Sequence, residues 1–191
     1  MNDDKHLRET RLRSQQVYRG DFLDVRRDEV ALPDGGVTTR EYIVHPGAVV
    51  IVPLLDEERL VMVRQYRYPL SQVLLEFPAG KIDPDEPTLR TAQRELAEET
   101  GYTASQWARA GVLHNAAAYA DECIEVWFAR GLVPGTATPD AGEFIETCVV
   151  GEAELDALAG AGDVTDAKTL IGLLWLQRWR AGSWHFDWVP R

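Results

Sequence analysis

The feature that most constrains this chain is a run of carboxylates that a helix should not favour. Residues 80–102, GKIDPDEPTLRTAQRELAEETGY, read mostly as a helix, and Glu95, Glu98 and Glu99 crowd together near its end. Like charges three and four positions apart on a helix repel by a few tenths of a kcal/mol per pair. At about 100° per residue, Glu95 and Glu99 lie roughly 40° apart, and Leu89, Ala92 and Leu96 form an apolar stripe beside them. Both carboxylates therefore border the core, where they are harder to solvate than on the outer face. Two readings are open at this point: a solvated acidic face, or a site for a cation. Hard oxygen ligands clustered in this way suit magnesium or manganese, which keep several waters and accept phosphate oxygens.

The segments around this helix set the fold class. Residues 17–45 alternate short apolar runs about a turn at LPDGG, which predicts a hairpin or meander. AVVIVPLL (48–55) and RLVMVRQYR (59–67) read as two strands, and LLEFPAG (74–80) as a third that stops at Pro78 and a glycine. Asp85 or Glu86 is placed to cap the acidic helix, Pro87 to occupy its first turn and Gly101 to end it. ARAGVLH, IEVWFARGL and FIETCVV (144–150) read as further strands; EAELDALAG and TDAKTLIGLLWLQRWR (165–180) read as helices. Strands and helices interleave without a regular βαβαβ rhythm, which predicts a mixed sheet with helices on both faces.

Charge and composition exclude several partners. The formal net charge is −11, and binders of nucleic acid or anionic membranes need a basic footprint. Neither partner is expected. A small phosphorylated ligand remains open, provided metal ions or local arginines offset the repulsion. The opening MNDDKHLRETRLRSQQ has no apolar core, so no signal peptide is expected, and no apolar run approaches the ~20 residues of a membrane span. Cys123 and Cys148 lack CxxC spacing and read as buried free thiols. Cytoplasmic localisation is the expectation.

The whole segment then identifies itself. Gly80, Glu86, Arg94-Glu95-Leu96, Glu98-Glu99 and Gly101 stand at the spacing of the Nudix box, so the chain resembles the Nudix hydrolases. The last specified position holds Tyr102 where the family pattern asks for a bulky aliphatic residue. The family hydrolyses a pyrophosphate joining a nucleoside to a second group, using divalent metal. The resemblance implies an α/β/α sandwich around a mixed sheet. It assigns Glu95 and Glu99 as principal metal ligands and Glu98 as a further or water-mediated ligand within the catalytic set. It also assigns the Ala79 carbonyl as a backbone ligand, Glu86 and Arg94 as the pair pinning loop to helix, and Gly80 and Gly101 as structural positions.

The resemblance extends along most of the chain. YRGDFLDVRRDEVALPDGG, REYIVHPGAVVIVPL, RQYRYPL, LLEFPAGKID and DAKTLIGLLWL are similar to the ADP-ribose and nucleoside-diphosphate-sugar pyrophosphatase branch. That branch implies two parts: an N-terminal antiparallel β subdomain over 1–45, exchanged across a homodimer near the substrate's base, and a Nudix domain over 46–191. It further implies that Arg67 contacts phosphate or terminal sugar, and that Arg40 and Glu41 lie near the base. Arg64 joins Arg67 and Arg40 in supplying the local positive charge that the acidic whole lacks. His45, in HPG, reads as a turn or packing residue. Trp175, Trp179, Trp184 and Trp188 invite a base-stacking reading, but at their spacing they read first as core or dimer packing.

One stretch departs from the branch. HNAAAYADE (114–122) puts Ala116, Ala117 and Ala118 where a Ser-Pro-Gly-like loop is usual, which bears on the choice of substrate. The expected reaction is Mg2+-dependent (Mn2+ as alternative) hydrolysis of ADP-ribose or a related nucleoside-diphosphate sugar. The alternatives are another nucleoside diphosphate derivative (dinucleoside polyphosphate, coenzyme A, damaged nucleotide) or a nucleotide-sugar-binding regulator without turnover. The attacking water also needs a proton acceptor. By resemblance this comes from the loop GLVPGTATPDAGEF, where Glu143 is the expected base or late metal ligand; Glu146 reads as a fixed ligand or strand charge, and Asp140 as too far out.

Overall fold

The structure, a computed structural model, describes residues 4–191. The chain divides into two compact units. The first contains the residues up to Pro46 together with His114–Cys123. Its three strands, β1 (Thr10–Arg19), β2 (Asp24–Ala31) and β3 (Val37–Val44), pair antiparallel in that order. The predicted meander is present, and its first strand begins seven residues earlier than the apolar alternation suggested. LPDGG turns β2 into β3: Leu32 N–H donates to the Gly36 carbonyl at 2.8 Å, and Gly35 takes φ +88°, open to glycine at little cost.

The segment 114–123 joins this unit through its backbone. Ile43 N–H donates to the Tyr119 carbonyl at 2.9 Å, and Asp121 N–H donates back to the Ile43 carbonyl at 3.2 Å. His45 N–H donates to the Asp121 carboxylate at 2.7 Å, and the His45 ring meets Phe22 edge-on. His45 is thus a packing residue, as its sequence context suggested. The alanine stretch Ala116–Ala118 belongs to the same N-terminal unit, although it is distant in sequence.

The second unit, 47–113 with 124–191, is built on β4 (Ala48–Pro53). The other strands are β5 (Arg59–Arg67), β6 (Gln72–Glu76), β7 (Ala79–Lys81), β8 (Thr103–His114), β9 (Cys123–Val133), β10 (Ile145–Gly151) and β11 (Trp188–Pro190). The helices are α1 (Thr88–Thr100), α2 (Glu152–Ala161) and α3 (Ala167–Arg180). The main sheet runs β11-β8-β9-β4-β7; β4 is parallel to β9 and antiparallel to β7. A second sheet, β10-β5-β6, is antiparallel throughout.

Every residue of β4 is buried, and its side chains alternate between two cores. Val50 and Val52 face Phe77, Phe128, Leu173 and Leu176 on the α3 side. Val49 and Ile51 face Ala92, Leu96, Trp107 and Trp127 on the α1 side. A strand buried on both faces reads as a continuous apolar run, which is why AVVIV carries no period-2 pattern. The result is the expected α/β/α layering around a mixed sheet.

Three local expectations are revised. LLEFPAG is two strands, β6 and β7, broken at Phe77–Pro78. The α1 N-cap is Pro87, with no side-chain cap from Asp85 or Glu86; the Glu86 carboxylate accepts instead from Thr91 and Arg94. Both cysteines are half-buried rather than buried, and neither is in a disulfide. The tryptophans pack among aromatics: Trp179 lies 6.1 Å from Phe128 and 5.8 Å from Trp188 between ring centroids, and Trp175 lies 6.1 Å from Trp184. Among the described residues, no helix is long and apolar enough to cross a membrane.

Gly172 lets α3 pack tightly against Phe77 and Val52. A Cβ there would lie 2.9 Å from the Phe77 ring and 3.2 Å from Val52. In an open helix Gly→Ala gains roughly 0.5–1 kcal/mol. Here the sign should reverse: Gly172→Ala is expected to destabilise by about 1–3 kcal/mol through overpacking, read as a lower urea unfolding midpoint.

Candidate active site

The end of α1 gathers the charged residues. Gly101, at φ +76°, terminates the helix, and its N–H donates to the Ala97 carbonyl at 2.9 Å. Ala92 and Leu96 pull one face of α1 into the core, and Glu99, next to that stripe, is carried down to 7 % exposure. Glu95 lies against the Gly80 backbone so closely that a Cβ on residue 80 would overlap its carboxylate. Gly80 is therefore required by packing, not by backbone conformation.

Arg94 organises the outer carboxylates. Its Nη1 donates to Glu95 at 2.7 Å and to Glu98 at 2.9 Å, while Nη2 donates to Glu86 at 2.9 Å and to the Lys81 carbonyl at 3.2 Å. The Glu86–Arg94 pair thus ties the 81–86 loop to the helix. Arg94 also offsets part of the crowding among the glutamates, and the Glu86 carboxyl is held below its ordinary range chiefly by that bond.

Glu99 accepts the Ala79 N–H at 3.1 Å. Burial, then the Glu95 charge, push its pKa up to about 8; the Ala79 bond opposes them, Glu143 adds to the rise, and Lys168 opposes it. Burial also raises Glu95, with Arg94 opposing and Glu98 and Glu143 adding to the shift. The charge of Glu143 therefore reaches both inner carboxylates.

The register of β7 decides where the Ala79 carbonyl points. Along an antiparallel strand the N–H and C=O of one residue face one side, and the next residue faces the other. The Pro78 carbonyl accepts from Ile51 N–H at 2.8 Å, toward β4. Ala79 is opposite Val50 and turns both groups away from β4, its N–H reaching Glu99. A carbonyl turned to the side of Glu99, with two desolvated carboxylates whose protons are held abnormally tightly, fits a hard divalent cation. Among the described residues no three carboxylate, histidine or cysteine side chains form a closed cage. Magnesium is commonly held by one or two carboxylates plus waters and substrate phosphates.

The loop carrying Glu143 is docked on the same helix end. Thr138 N–H donates to the Glu98 carbonyl at 2.9 Å, and Thr147 Oγ1 to the Glu99 carbonyl at 3.2 Å. A Cβ on Gly101 would meet the Ala137 nitrogen at 2.7 Å, so glycine there admits the loop as well as ending the helix. Glu143 is exposed at the loop's end, and its N–H donates to the Asp140 carbonyl at 3.0 Å. Glu146 lies on β10 opposite Arg64, paired with it at 2.9 Å.

The other arginines singled out in the sequence, Arg40, Arg64 and Arg67, each have a carboxylate partner. Arg67 donates from Nε and Nη2, both at 2.7 Å, to Glu76, which is 1 % exposed. Lys168 bonds the same carboxylate and also Asp166 at 2.9 Å. Burial alone would raise the Glu76 pKa, but Arg67 and Lys168 outweigh it and hold the carboxyl below its usual range. Arg40 pairs with Glu9, and Glu41 with Arg27, within the N-terminal unit. Glu76, Asp166, Lys168 and Thr169 were not singled out by sequence reading. A glutamate interrupting the apolar LLEFP run was the available signal, since a charge at a core position must find a partner.

Residues 44–185 match the family model described as NUDIX domain, and residues 9–43 match that described as Nucleoside diphosphate sugar hydrolase N-terminal domain. An ADP-ribose pyrophosphatase of Bacillus subtilis (strain 168) is 35 % identical over 175 residues, covering 91 % of this chain and 95 % of that protein. A methanol dehydrogenase activator of Bacillus methanolicus is 34 % identical with the same coverage. A solved structure titled "Crystal structure of ADP compounds hydrolase" superposes with a TM-score of 0.82 at 27 % identity, covering 92 % of this chain and 96 % of that one.

The raised Glu99 pKa makes metal-free stability depend on pH. The unfolded chain releases this proton near 4.5, whereas the folded protein keeps it to about 8. Between those values the folded state binds more protons, so raising pH favours unfolding. In chelator, wild-type stability should be highest below about pH 4.5 for this group and fall, by on the order of a few kcal/mol, as pH rises through 8. Glu99→Gln should lack that component, and urea midpoints of the two proteins between pH 5 and 8.5 would show the difference.

Proposed function

The chain belongs to the Nudix hydrolase family, and on that premise we propose that it hydrolyses the pyrophosphate of ADP-ribose or a related nucleoside-diphosphate sugar with Mg2+. The products are a nucleoside monophosphate and a sugar phosphate. One observation supports the reading: the buried Glu99 accepts the Ala79 N–H at 3.1 Å at the end of the helix where Arg94 gathers Glu95 and Glu98. In this reading Glu95, Glu98, Glu99 and the Ala79 carbonyl hold Mg2+ or Mn2+. Bound metal supplies charge neutralisation at the pyrophosphate and a more acidic water. Glu143, on a loop held at the helix end by Thr138, would accept the proton of the attacking water. Arg67 and Arg64 bind phosphate or terminal sugar, and Arg40 and Glu41 serve the base side.

The N-terminal strands serve a second role in the proposal. β1 is an edge strand exposed along its whole length, and Leu12, Val17 and Tyr18 stand uncovered on it. An exposed apolar edge of this length invites pairing, and a second copy of the chain is the proposed cover. The expected species in sedimentation at micromolar concentration is a homodimer; a monomer would reject it.

A second reading, a nucleotide-binding effector without turnover, draws on the relative named a methanol dehydrogenase activator. The complete set of box carboxylates favours turnover. With ADP-ribose and a panel of nucleoside-diphosphate sugars, chelation should abolish hydrolysis and Mg2+ should restore it; full activity in excess chelator would refute the proposal. Glu99→Gln should lower turnover by roughly a hundredfold or more. Glu143→Gln should lower kcat by about 10² with substrate affinity near normal, and wild-type turnover in that variant would move the proton acceptor to Glu146.

A further inference from the structure

The turn that carries the Ala79 carbonyl is anchored from three directions. On the sheet side, Ile51 N–H donates to the Pro78 carbonyl at 2.8 Å. On the α1 side, Ala79 N–H donates to Glu99 at 3.1 Å. The third anchor comes from α3, a helix to which the functional reading assigns nothing. Phe77 N–H donates to Thr169 Oγ1 at 2.9 Å, and both residues are fully buried.

Thr169 is itself held in one orientation. Asp166, the N-cap of α3, accepts the Thr169 N–H at 2.9 Å and the Thr169 hydroxyl at 2.7 Å. With its proton committed to Asp166, the hydroxyl can only accept from Phe77. Asp166 also accepts Lys168, which bonds Glu76. One helix cap thus holds two consecutive residues of the turn: Phe77 through its backbone, and Glu76 through its side chain. Gly172 admits Phe77 to α3 one turn further on.

We infer that Thr169, oriented by Asp166, is a positioning residue for the Ala79 carbonyl, setting the pitch of Phe77–Pro78–Ala79 and thereby the affinity of the metal site. The inference rests on the metal-dependent reading above. Pro78 fixes its own φ and has no N–H, so the turn's direction depends on the flanking amide of Phe77. A buried amide without an acceptor seeks another partner, and the carbonyl two residues on would move with it. Groups that orient metal ligands without touching the metal typically change affinity by about 10–100-fold when lost.

The test uses the full chain with Thr169→Val, which keeps the shape and removes the acceptor, and Thr169→Ser, which restores it. Mn2+ affinity is read by calorimetry without substrate, alongside kcat and KM for ADP-ribose and the unfolding midpoint in chelator. Thr169→Val is expected to weaken Mn2+ binding about tenfold and to lower kcat at fixed Mg2+, with recovery as Mg2+ is raised. Thr169→Ser should match wild type within about twofold in Mn2+ affinity while lowering the midpoint through the methyl group that it alone loses. A purely structural residue would lower the midpoint of Thr169→Val and leave Mn2+ affinity unchanged, and that result overturns the inference. If Thr169→Val does not fold, Thr169→Ala carries the same comparison, and Mn2+ affinity within twofold of wild type again overturns it. Wild-type protein that neither binds Mn2+ nor hydrolyses any substrate of the panel removes the functional reading and the inference with it. Wild-type protein that does both, beside an unaffected Thr169→Val, removes the inference alone.

Discussion

Burying Glu99 against the Ala79 amide is the contact around which the catalytic unit is arranged. A carboxylate at 7 % exposure with one backbone donor is a costly element unless something else shares its charge. The protein accepts it by fixing everything around it. Leu96 and Ala92 lock the phase of α1, Gly80 lets Glu95 lie flat on the backbone, and Gly101 ends the helix where the 134–142 loop crosses. Changing any of these moves the carboxylate, so the packing of the core and the electrostatics of the site are one constraint.

β4 makes that constraint possible. Because its side chains serve both cores, the layers holding α1 and α3 share a single strand. β7 is short, three residues, and takes its position from β4 on one edge. The 76–80 segment, which leads into β7, then makes a hydrogen bond to each layer: it donates to Thr169 of α3 and to Glu99 of α1, and it accepts from Ile51 of the sheet. A short segment pinned in this way is more rigid than its length suggests, which is what the proposed metal site would require.

Much of this was legible from residue order, and what was not has a common cause. The box residues lie within one helix and its leading loop, so their phase follows from spacing at 3.6 residues per turn. The fully apolar β4 likewise announces a buried strand, as does the VWFA centre of β9. The pairing of Ile43 with Tyr119 and Asp121 is different: it joins segments more than seventy residues apart through backbone groups that carry no side-chain signature. Nor does the Glu76–Lys168 contact leave a local pattern, since each charge makes sense only beside the other. The N-cap of α1 was misjudged because Glu86 has a stronger claim elsewhere: a charged guanidinium competes better for a carboxylate than the helix amides do.

The same competition governs how an acidic chain can handle an anionic ligand. Net charge is −11, yet positive charge around the site is not presented openly. Arg67 is bidentate to Glu76, Arg64 is paired with Glu146, and Arg94 spans Glu86, Glu95 and Glu98. Each guanidinium is oriented by a carboxylate that also cancels its charge, so pre-organisation and attraction are traded against each other. A pyrophosphate arriving without metal would face paired arginines and the inner carboxylates Glu95 and Glu99. A divalent cation held by Glu95 and Glu99 would offset that repulsion, and no arginine would need to leave its partner. On this physical ground the glutamates of α1, and not the arginines, should dominate ligand affinity, with the arginines selecting the orientation in which the bound group is held.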